Sequence, residues 1–147
     1  MKKIFIPIIV LFSTQVFIAQ ENNLKQNLNS NSLNSAAYGI LDDIENGISN
    51  TKTSDISPYL NSQIYLSFMN GISGYYSSNQ AYYVIEDFLK EYKVISFRFN
   101  KFKLNTTAPF AVGTYYYEHK GNRYEAKVFV TLKFTNKSWQ ITQISIK

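Results

Sequence analysis

The chain has 147 residues, with 15 Lys and Arg against 10 Asp and Glu, and it has no cysteine. Without cysteine the protein forms no disulfide, no thiolate zinc site and no lipid-modified N-terminal cysteine, so its fold depends on a hydrophobic core. Aromatic residues make up 16% of the chain, including 12 Tyr and 11 Phe. This composition favours half-buried β-strands.

The first nineteen residues have the layout of a secretory signal peptide. Lys2 and Lys3 supply a positive start, residues 4–11 are almost wholly apolar, and Ala19 precedes the polar Gln20. The apolar run is too short to span a bilayer, which takes about 20 apolar residues. We expect cleavage after Ala19, a soluble product without a transmembrane segment, and a periplasmic or extracellular location. An uncleaved N-terminal anchor is the alternative.

A flexible polar leader, residues 20–35, is predicted to precede a single folded domain, residues 36–147. The leader is rich in Asn, Ser and Gln and has too few apolar residues to order itself. Alternatively, its leucines begin the first helix early. We predict that helix over 36–48, followed by a short helical turn over 56–60. The apolar stripe of the helix comprises Ile40, Leu41, Ile44 and Ile48.

A hairpin and a second helix are predicted next. Apolar residues alternate over 63–69, the Asn70-Gly71 pair favours a type I′ turn, and a return strand is expected over 72–76. Ser78 is a suitable N-cap for a helix over 79–92. The buried stripe of this helix is predicted to comprise Ala81, Ile85, Phe88, Leu89 and Tyr92.

The remaining pattern predicts strands only. The first runs over 94–104 and changes phase near Asn100-Lys101, which indicates a β-bulge. Further strands are predicted over 110–119, 124–134 and 139–146, the last with a second bulge. Helices followed by long bent strands predict an α+β fold, with N-terminal helices packed on a strongly curved antiparallel sheet.

The start of the second helix reads YSSNQA over 76–81 and continues as VIEDFL over 84–89. With the VGT sequence over 112–114, these residues resemble an exported family of Bacteroidetes-type bacteria, domain of unknown function 4783. The last strand fits as well, through Trp139, Ile141, Ile144 and Ile146. The order of helices and curved sheet resembles the nuclear transport factor 2-like, or cystatin-like, superfamily. The resemblance implies a cone-shaped fold and an export route, and no assigned activity.

Few side chains suit catalysis or metal binding. His119 is the only histidine, and its place beside a Gly-Asn turn favours an exposed hairpin residue over a general base. Asp42, Asp43 and Glu45 lie on one helix without the glycine and spaced oxygens of a calcium loop. We interpret them, like Glu86-Asp87, as a solvated helix face. No catalytic residue, no metal site and no cofactor are predicted.

The expected interior holds no group that transfers a proton at neutral pH. Three polar-tipped candidates fall near it, Tyr65, Tyr116 and Tyr124, and buried tyrosines usually pack their rings. We therefore predict a protein that is not an enzyme, with a small cavity-based hydrolase or isomerase as the alternative. The expected inward positions are Ile95, Phe97, Phe99, Val128, Val130, Leu132, Trp139 and Ile141.

Charge divides the chain into two halves. Residues 20–92 carry three basic and eight acidic side chains, a net charge of −5, and residues 93–147 carry ten and two, a net charge of +8. Strand phase predicts a partner-binding face comprising Arg98, Arg123, Lys127, Phe129 and Lys133.

The leading hypothesis is therefore a binding or accessory module of the bacterial cell envelope. The expected compartment argues against nucleic acid and favours an acidic envelope protein or an anionic glycan as partner. Two alternatives stay open. In the first, the protein is a structural homodimer unit. In the second, the strand lysines serve only to prevent edge pairing and to keep the chain soluble.

Overall fold

The computed structural model describes residues 13–106 and 108–147, with the backbone alone for 13–29. The elements follow the predicted order: a helix and a short helical turn, a hairpin, a second helix, and then strands only. The elements are α1 (Ser13–Ser49), α2 (Thr53–Ile56), a 3₁₀ turn (Ser57–Tyr59), β1 (Leu60–Phe68), β2 (Ser73–Ser77), α3 (Ser78–Glu91), β3 (Lys93–Lys103), β4 (Phe110–His119), β5 (Asn122–Thr135) and β6 (Ser138–Ile146).

Helix α1 begins far earlier than predicted. Its backbone is helical from Ser13 to Ser49, so it includes the segment 20–35 that we expected as a leader. The alternative, in which the leucines of that segment belong to the helix, agrees with this backbone. The predicted apolar stripe is confirmed, because Leu41, Ile44 and Ile48 are buried.

The chain divides into two compact units between residues 35 and 36. The second unit, Ala36–Lys147, contains all six strands and the hydrophobic core.

The positive start and the apolar run of the expected signal peptide lie outside the described residues. Among the residues that are described, no helix combines the length and the apolar character needed to cross a membrane.

Strand β1 shows the predicted alternation, with Ile64, Leu66 and Phe68 buried. The turn after it is not type I′, which requires a positive φ at both central residues. Only Gly71 has one, +94°. The Gly71 N–H donates to the Phe68 carbonyl at 3.1 Å, and the Phe68 N–H donates to the Ile72 carbonyl at 2.8 Å. The connection is therefore a three-residue loop that ends in a left-handed glycine.

Helix α3 is capped one residue earlier than predicted. Its N-cap is Ser77, not Ser78: the Ser77 Oγ accepts the Gln80 N–H at 3.3 Å, and the Gln80 Oε1 accepts the Ser77 N–H at 3.0 Å. This reciprocal pair is a capping box. The predicted stripe is confirmed by four buried members and the half-buried Tyr92, the buried ones being Ala81, Ile85, Phe88 and Leu89.

The six strands form one sheet in the order β2-β1-β6-β5-β4-β3. This arrangement confirms the α+β fold class. Strands β1 and β6 pair in parallel and the other neighbours are antiparallel, so the sheet is mixed where we expected an antiparallel one. The parallel pair joins strands far apart in the chain, because α3 and four strands lie between them.

Two bulges change the phase of β3. The predicted one is confirmed, since Phe99 pairs with Gly113 whereas Lys101 pairs with Val112. The other follows Val94 and leaves Ile95 48% exposed, so the inward position predicted for Ile95 is wrong.

Two-residue turns join β4 to β5 and β5 to β6. Both central residues have positive φ in each turn, Lys120 and Gly121 in the first, Asn136 and Lys137 in the second. The bulge predicted in the last strand is confirmed, because the pairing register between β5 and β6 shifts next to Leu132 and leaves an extra residue on β6. These bulges bend the long strands of the sheet.

Aromatic side chains pack between the helices and the sheet. The rings of Phe88, Phe97 and Tyr115 lie there, with the Tyr115 ring centroid 6.4 Å from each of the other two. Trp139 is only half-buried and packs edge-on against Phe134 at 5.2 Å. The other positions predicted inward are buried: Phe97, Phe99, Val128, Val130, Leu132 and Ile141.

Candidate functional site

A row of cations crosses the outer face of the sheet, the face that points away from the helices. Arg98 on β3 pairs with Thr114 on β4, and Thr114 pairs with Lys127 on β5. Lys147 continues the row, because its backbone N–H and carbonyl bond to Lys127 at 3.0 and 2.6 Å. Neighbouring strands lie about 4.8 Å apart, so three cations stand within a short width of sheet.

Hydrogen bonds fix part of this row. The Lys127 Nζ donates to the Thr114 Oγ1 at 2.9 Å and to the Glu125 Oε1 at 2.7 Å. The Asn100 Nδ2 also donates to the Thr114 Oγ1 at 2.9 Å. The bond from Lys127 lowers the pKa of Glu125, so this carboxylate offsets part of the basic charge.

A shallow depression of about 460 Å³ adjoins the row. Phe129 lines it and is 40% exposed, although large apolar side chains are usually buried. The depression thus combines an exposed ring with neutral polar groups and one cation. Its lining residues are Ala108, Phe110, Phe129, Thr131, Gln143, Ser145 and Lys147.

The structure brings together only part of the predicted face. Arg98, Lys127 and Phe129 lie in adjacent rows, but Arg123 and Lys133 lie ten residues apart at opposite ends of β5. At about 3.3 Å per residue that separation is roughly 33 Å. Arg123 also pairs with Glu118 across the β4–β5 hairpin. Lys147 is the member that sequence reasoning missed.

The tyrosines expected near the interior are the wrong ones. Tyr116 and Tyr124 are 45% and 46% exposed, and Tyr65 is half-buried in the outer β1–β2 hairpin, where its ring meets Tyr75. Tyr115 and Tyr117 are buried instead, because β4 has the opposite phase.

The buried tyrosines have packing roles. The Tyr115 hydroxyl donates to the Tyr92 carbonyl, and the Tyr117 hydroxyl lies 3.3 Å from the Met69 sulfur. Burial is the first cause that raises the pKa of both phenols. Neither loses its proton at neutral pH, so neither serves as a base there.

His119 is not simply an exposed hairpin residue. Its ring stacks on Tyr92 with centroids 4.5 Å apart, and its Nδ1 lies 3.4 Å from the Glu91 carbonyl oxygen. These contacts attach the β4–β5 hairpin to the end of α3. The arrangement is that of a packing residue.

Glu45 differs from the solvated carboxylate that we expected. It is half-buried, and its Oε2 accepts the Phe99 N–H at 2.7 Å. Asp42 and Asp43 are exposed; Asp43 accepts a hydrogen bond from the Tyr59 hydroxyl. Over the described ranges, no three His, Cys, Asp or Glu side chains come together as a metal site would need.

Residues 41–147 match a family described as a domain of unknown function, DUF4783. The chain belongs to this family. The match confirms the resemblance seen in the α3 segment, and it covers the whole sheet. No curated protein matches the chain in sequence.

Solved structures share the fold. The DUF4783 protein of Bacteroides uniformis ATCC 8492 is 18% identical, with 72% of this chain and 94% of that one covered and a TM-score of 0.65. The DUF4783 protein of Bacteroides ovatus ATCC 8483 is 21% identical, with 70% of this chain and 89% of that one covered and a TM-score of 0.61. An NTF-2 like protein of unknown function from Shewanella oneidensis MR-1 is 14% identical, with 77% of this chain and 97% of that one covered and a TM-score of 0.57. These likenesses place the DUF4783 domain in the NTF2-like fold.

Proposed function

We propose that this DUF4783 protein is an exported, non-catalytic binding module whose outer sheet face holds an acidic protein surface of the cell envelope. The observation that carries the proposal is the row Arg98, Lys127 and Lys147 beside an exposed phenylalanine. Cations attract and orient an acidic partner, and an apolar contact that excludes water supplies affinity.

An acidic protein fits this face better than an anionic glycan. Lys101 and Lys103 lie on the same outer face along β3, but the depression beside the row is lined by neutral Thr131, Gln143 and Ser145 and by a single cation. A regularly charged polymer is best matched by repeated cations along its length. A folded partner needs a few charges and a pocket for one side chain.

The expected strength is modest. An exposed ion pair contributes roughly 0.2–1 kcal/mol, so three such pairs need the contact at Phe129 to give stable binding. Glu125 reduces the field at Lys127, with which it forms an ion pair at 2.7 Å. Association should therefore weaken as salt rises, since the screening length falls to about 8 Å at physiological ionic strength.

Charge reversal tests the proposal. The variant Arg98→Glu, Lys127→Glu, Lys147→Glu is compared with Lys52→Glu, Lys120→Glu, Lys137→Glu, which makes the same charge change at exposed lysines away from the row. The protein and both variants are used to capture envelope proteins, and the purified partner is then titrated at two salt concentrations. We expect an acidic partner that the control retains, the row variant loses and salt weakens.

Other results overturn this proposal. Equal retention by both variants means that the row is not the site. An anionic glycan as the retained molecule, or a second copy of the chain found by sedimentation, replaces the acidic protein as occupant.

Export is supported by Lys2, Lys3 and the apolar run that follows them. Intact-mass measurement of the protein from its native host should show a species lacking about nineteen residues outside the cytoplasm, within the usual signal-peptide range of roughly 15–30. Full-length protein confined to the cytoplasm would contradict export.

A further inference from the structure

A second concave site, on the other face of the sheet, has an unusual lining. It lies between α1 and the end of β3 and has a volume of about 380 Å³, within the range of small-molecule pockets. Three aromatic rings and two carboxylates surround it. The lining comprises Tyr38, Gly39, Leu41, Asp42, Glu45, Phe99 and Phe102.

Local structure sets this lining. Tyr38, Asp42 and Glu45 are four and three residues apart on α1, so they lie on one side of the helix. The bulge at Asn100 keeps Phe99 and Phe102 on the same face of β3, although they are three residues apart. Phe102 then meets Tyr38 at 5.4 Å and Phe99 at 6.0 Å between ring centroids.

The pocket is negative, although the strand β3 that supplies two of its rings is basic. Lys101 and Lys103 pair with Val112 and Phe110, residues of the outer phase of β4, so the bulge directs both lysines away from the pocket. Glu45 uses one oxygen to accept the Phe99 N–H and keeps the other for a further donor. Tyr38 and Phe102 remain 50% and 41% exposed, so their rings are accessible.

We propose that this pocket binds a small organic ammonium cation, held against the faces of Tyr38, Phe99 and Phe102 and balanced by Asp42 and Glu45. Aromatic faces carry negative potential and attract such cations within about 6 Å of the ring centre. The carboxylates add a charge of opposite sign. A neutral ligand of equal size gains only the apolar contact. This site is independent of the outer face and of the partner proposed there.

Choline and its uncharged isostere 3,3-dimethylbutan-1-ol separate these contributions. Each is titrated into the ¹⁵N-labelled protein while the Phe99 amide and the aromatic resonances of Tyr38 and Phe102 are followed. Choline should shift these signals saturably, and the alcohol should shift them weakly. Phe102→Leu and Asp42→Asn should each reduce choline affinity about two- to fivefold. The matched control Asp87→Asn, at an exposed carboxylate on α3, should leave it unchanged.

Three results would overturn the proposal. Equal affinity for choline and the alcohol makes the pocket merely apolar. No saturable shift with either probe leaves no site. An equal loss of choline affinity in Asp42→Asn and Asp87→Asn indicates an effect of net charge. Asp42 is exposed, so its variant should fold, and a thermal melt confirms that before titration.

Discussion

Tyr115 shows how a polar-tipped residue is accommodated in this core. Its ring is fully buried and stacks on Tyr117 at 5.4 Å, while its hydroxyl donates to the Tyr92 carbonyl at the end of α3. The folded protein therefore disfavours the phenolate, and burial, followed by the charge of Tyr117, raises the pKa of Tyr115. A side chain in this environment connects the sheet to a helix end rather than performing acid–base chemistry.

The raised pKa of Tyr115 predicts a loss of stability in alkali. The folded state holds the proton more tightly than the unfolded state, whose tyrosine pKa is about 10. Its contribution is therefore complete below about pH 10 and is lost as pH rises toward the raised value. Tyr115→Phe should be less stable near neutrality by about 0.5–1.5 kcal/mol, the value of one hydrogen bond.

Urea unfolding from pH 8 to 12 measures this effect. Above about pH 10 the difference between the native chain and Tyr115→Phe should shrink, because phenylalanine does not ionise. A difference that stays constant over that range would show that Tyr115 ionises equally in both states.

Gly113 is predicted to be the least replaceable glycine of the sheet. A Cβ there would lie 2.7 Å from the Arg98 carbonyl oxygen and 2.5 Å from the Phe97 ring. The carbonyl belongs to the paired strand and cannot move freely, so Gly113→Ala should cost roughly 1–3 kcal/mol in a urea melt.

Gly39 provides the control for that variant. It lies in α1 with nothing within 4 Å of an added Cβ, so Gly39→Ala should stabilise by roughly 0.5–1 kcal/mol. Destabilisation of equal size in both variants would refute the steric explanation.

Individual side chains were the hardest level to predict from sequence. Carboxylates at 42, 43 and 45 look equivalent in the helical pattern, yet only Glu45 reaches an N–H of β3. Likewise the run Tyr115-Tyr116-Tyr117 offers two possible phases with identical residue types. In both cases the answer depends on a distant strand, which local periodicity does not contain.

At the scale of elements, α1 protects an exposed strand edge. β3 is the last strand of the sheet, so half of its backbone groups have no strand partner. On successive turns of α1, Glu45 accepts the Phe99 N–H at 2.7 Å and the Ser49 Oγ donates to the Phe97 carbonyl at 3.2 Å. Covering an edge in this way prevents pairing with another chain.

Removing the Glu45 carboxylate from this edge should lower the free energy of unfolding. Glu45→Ala leaves the Phe99 N–H without its charged acceptor and should destabilise by about 1–3 kcal/mol. Hydrogen exchange of the Phe99 amide should accelerate more than that of other β3 amides. Asp87→Ala, an exposed carboxylate on α3, should change stability by less than about 0.5 kcal/mol. Unchanged exchange at Phe99 would mean that the bond is not maintained in solution.

Strands and bulges were more predictable than their pairing. The bounds of β4 and the bulges at Asn100 and in β6 follow from apolar alternation and its changes of phase. The bulge after Val94 left no such signal, because Val94 and Ile95 are equally apolar. Parallel pairing of β1 with β6 depends on the crossover through α3, and neither strand encodes its neighbour.

Over the whole molecule, charge divides the sequence into an acidic and a basic half, whereas both halves contribute residues to the one hydrophobic core. The basic half of the sequence supplies β3 to β6, whose inner sides are buried and whose outer sides carry the row of cations. The acidic half supplies both the carboxylates of the proposed ammonium pocket and the helices that close the core. Two sites of opposite charge are thus separated by the thickness of one sheet.

The distribution of the core predicts that the second unit folds by itself. Every residue of the described hydrophobic core lies between Ala37 and Ile146. A domain of this size buries more than about 60% of the surface that its unfolded chain exposes. A chain that begins at Ala36 should therefore unfold in one cooperative urea transition, with a slope of about 1–3 kcal/mol per molar. Trp139 fluorescence and far-UV circular dichroism should give the same midpoint, because two-state unfolding makes all probes coincide. Separate midpoints, or a transition without cooperativity, would show that residues before Ala36 are required for the fold.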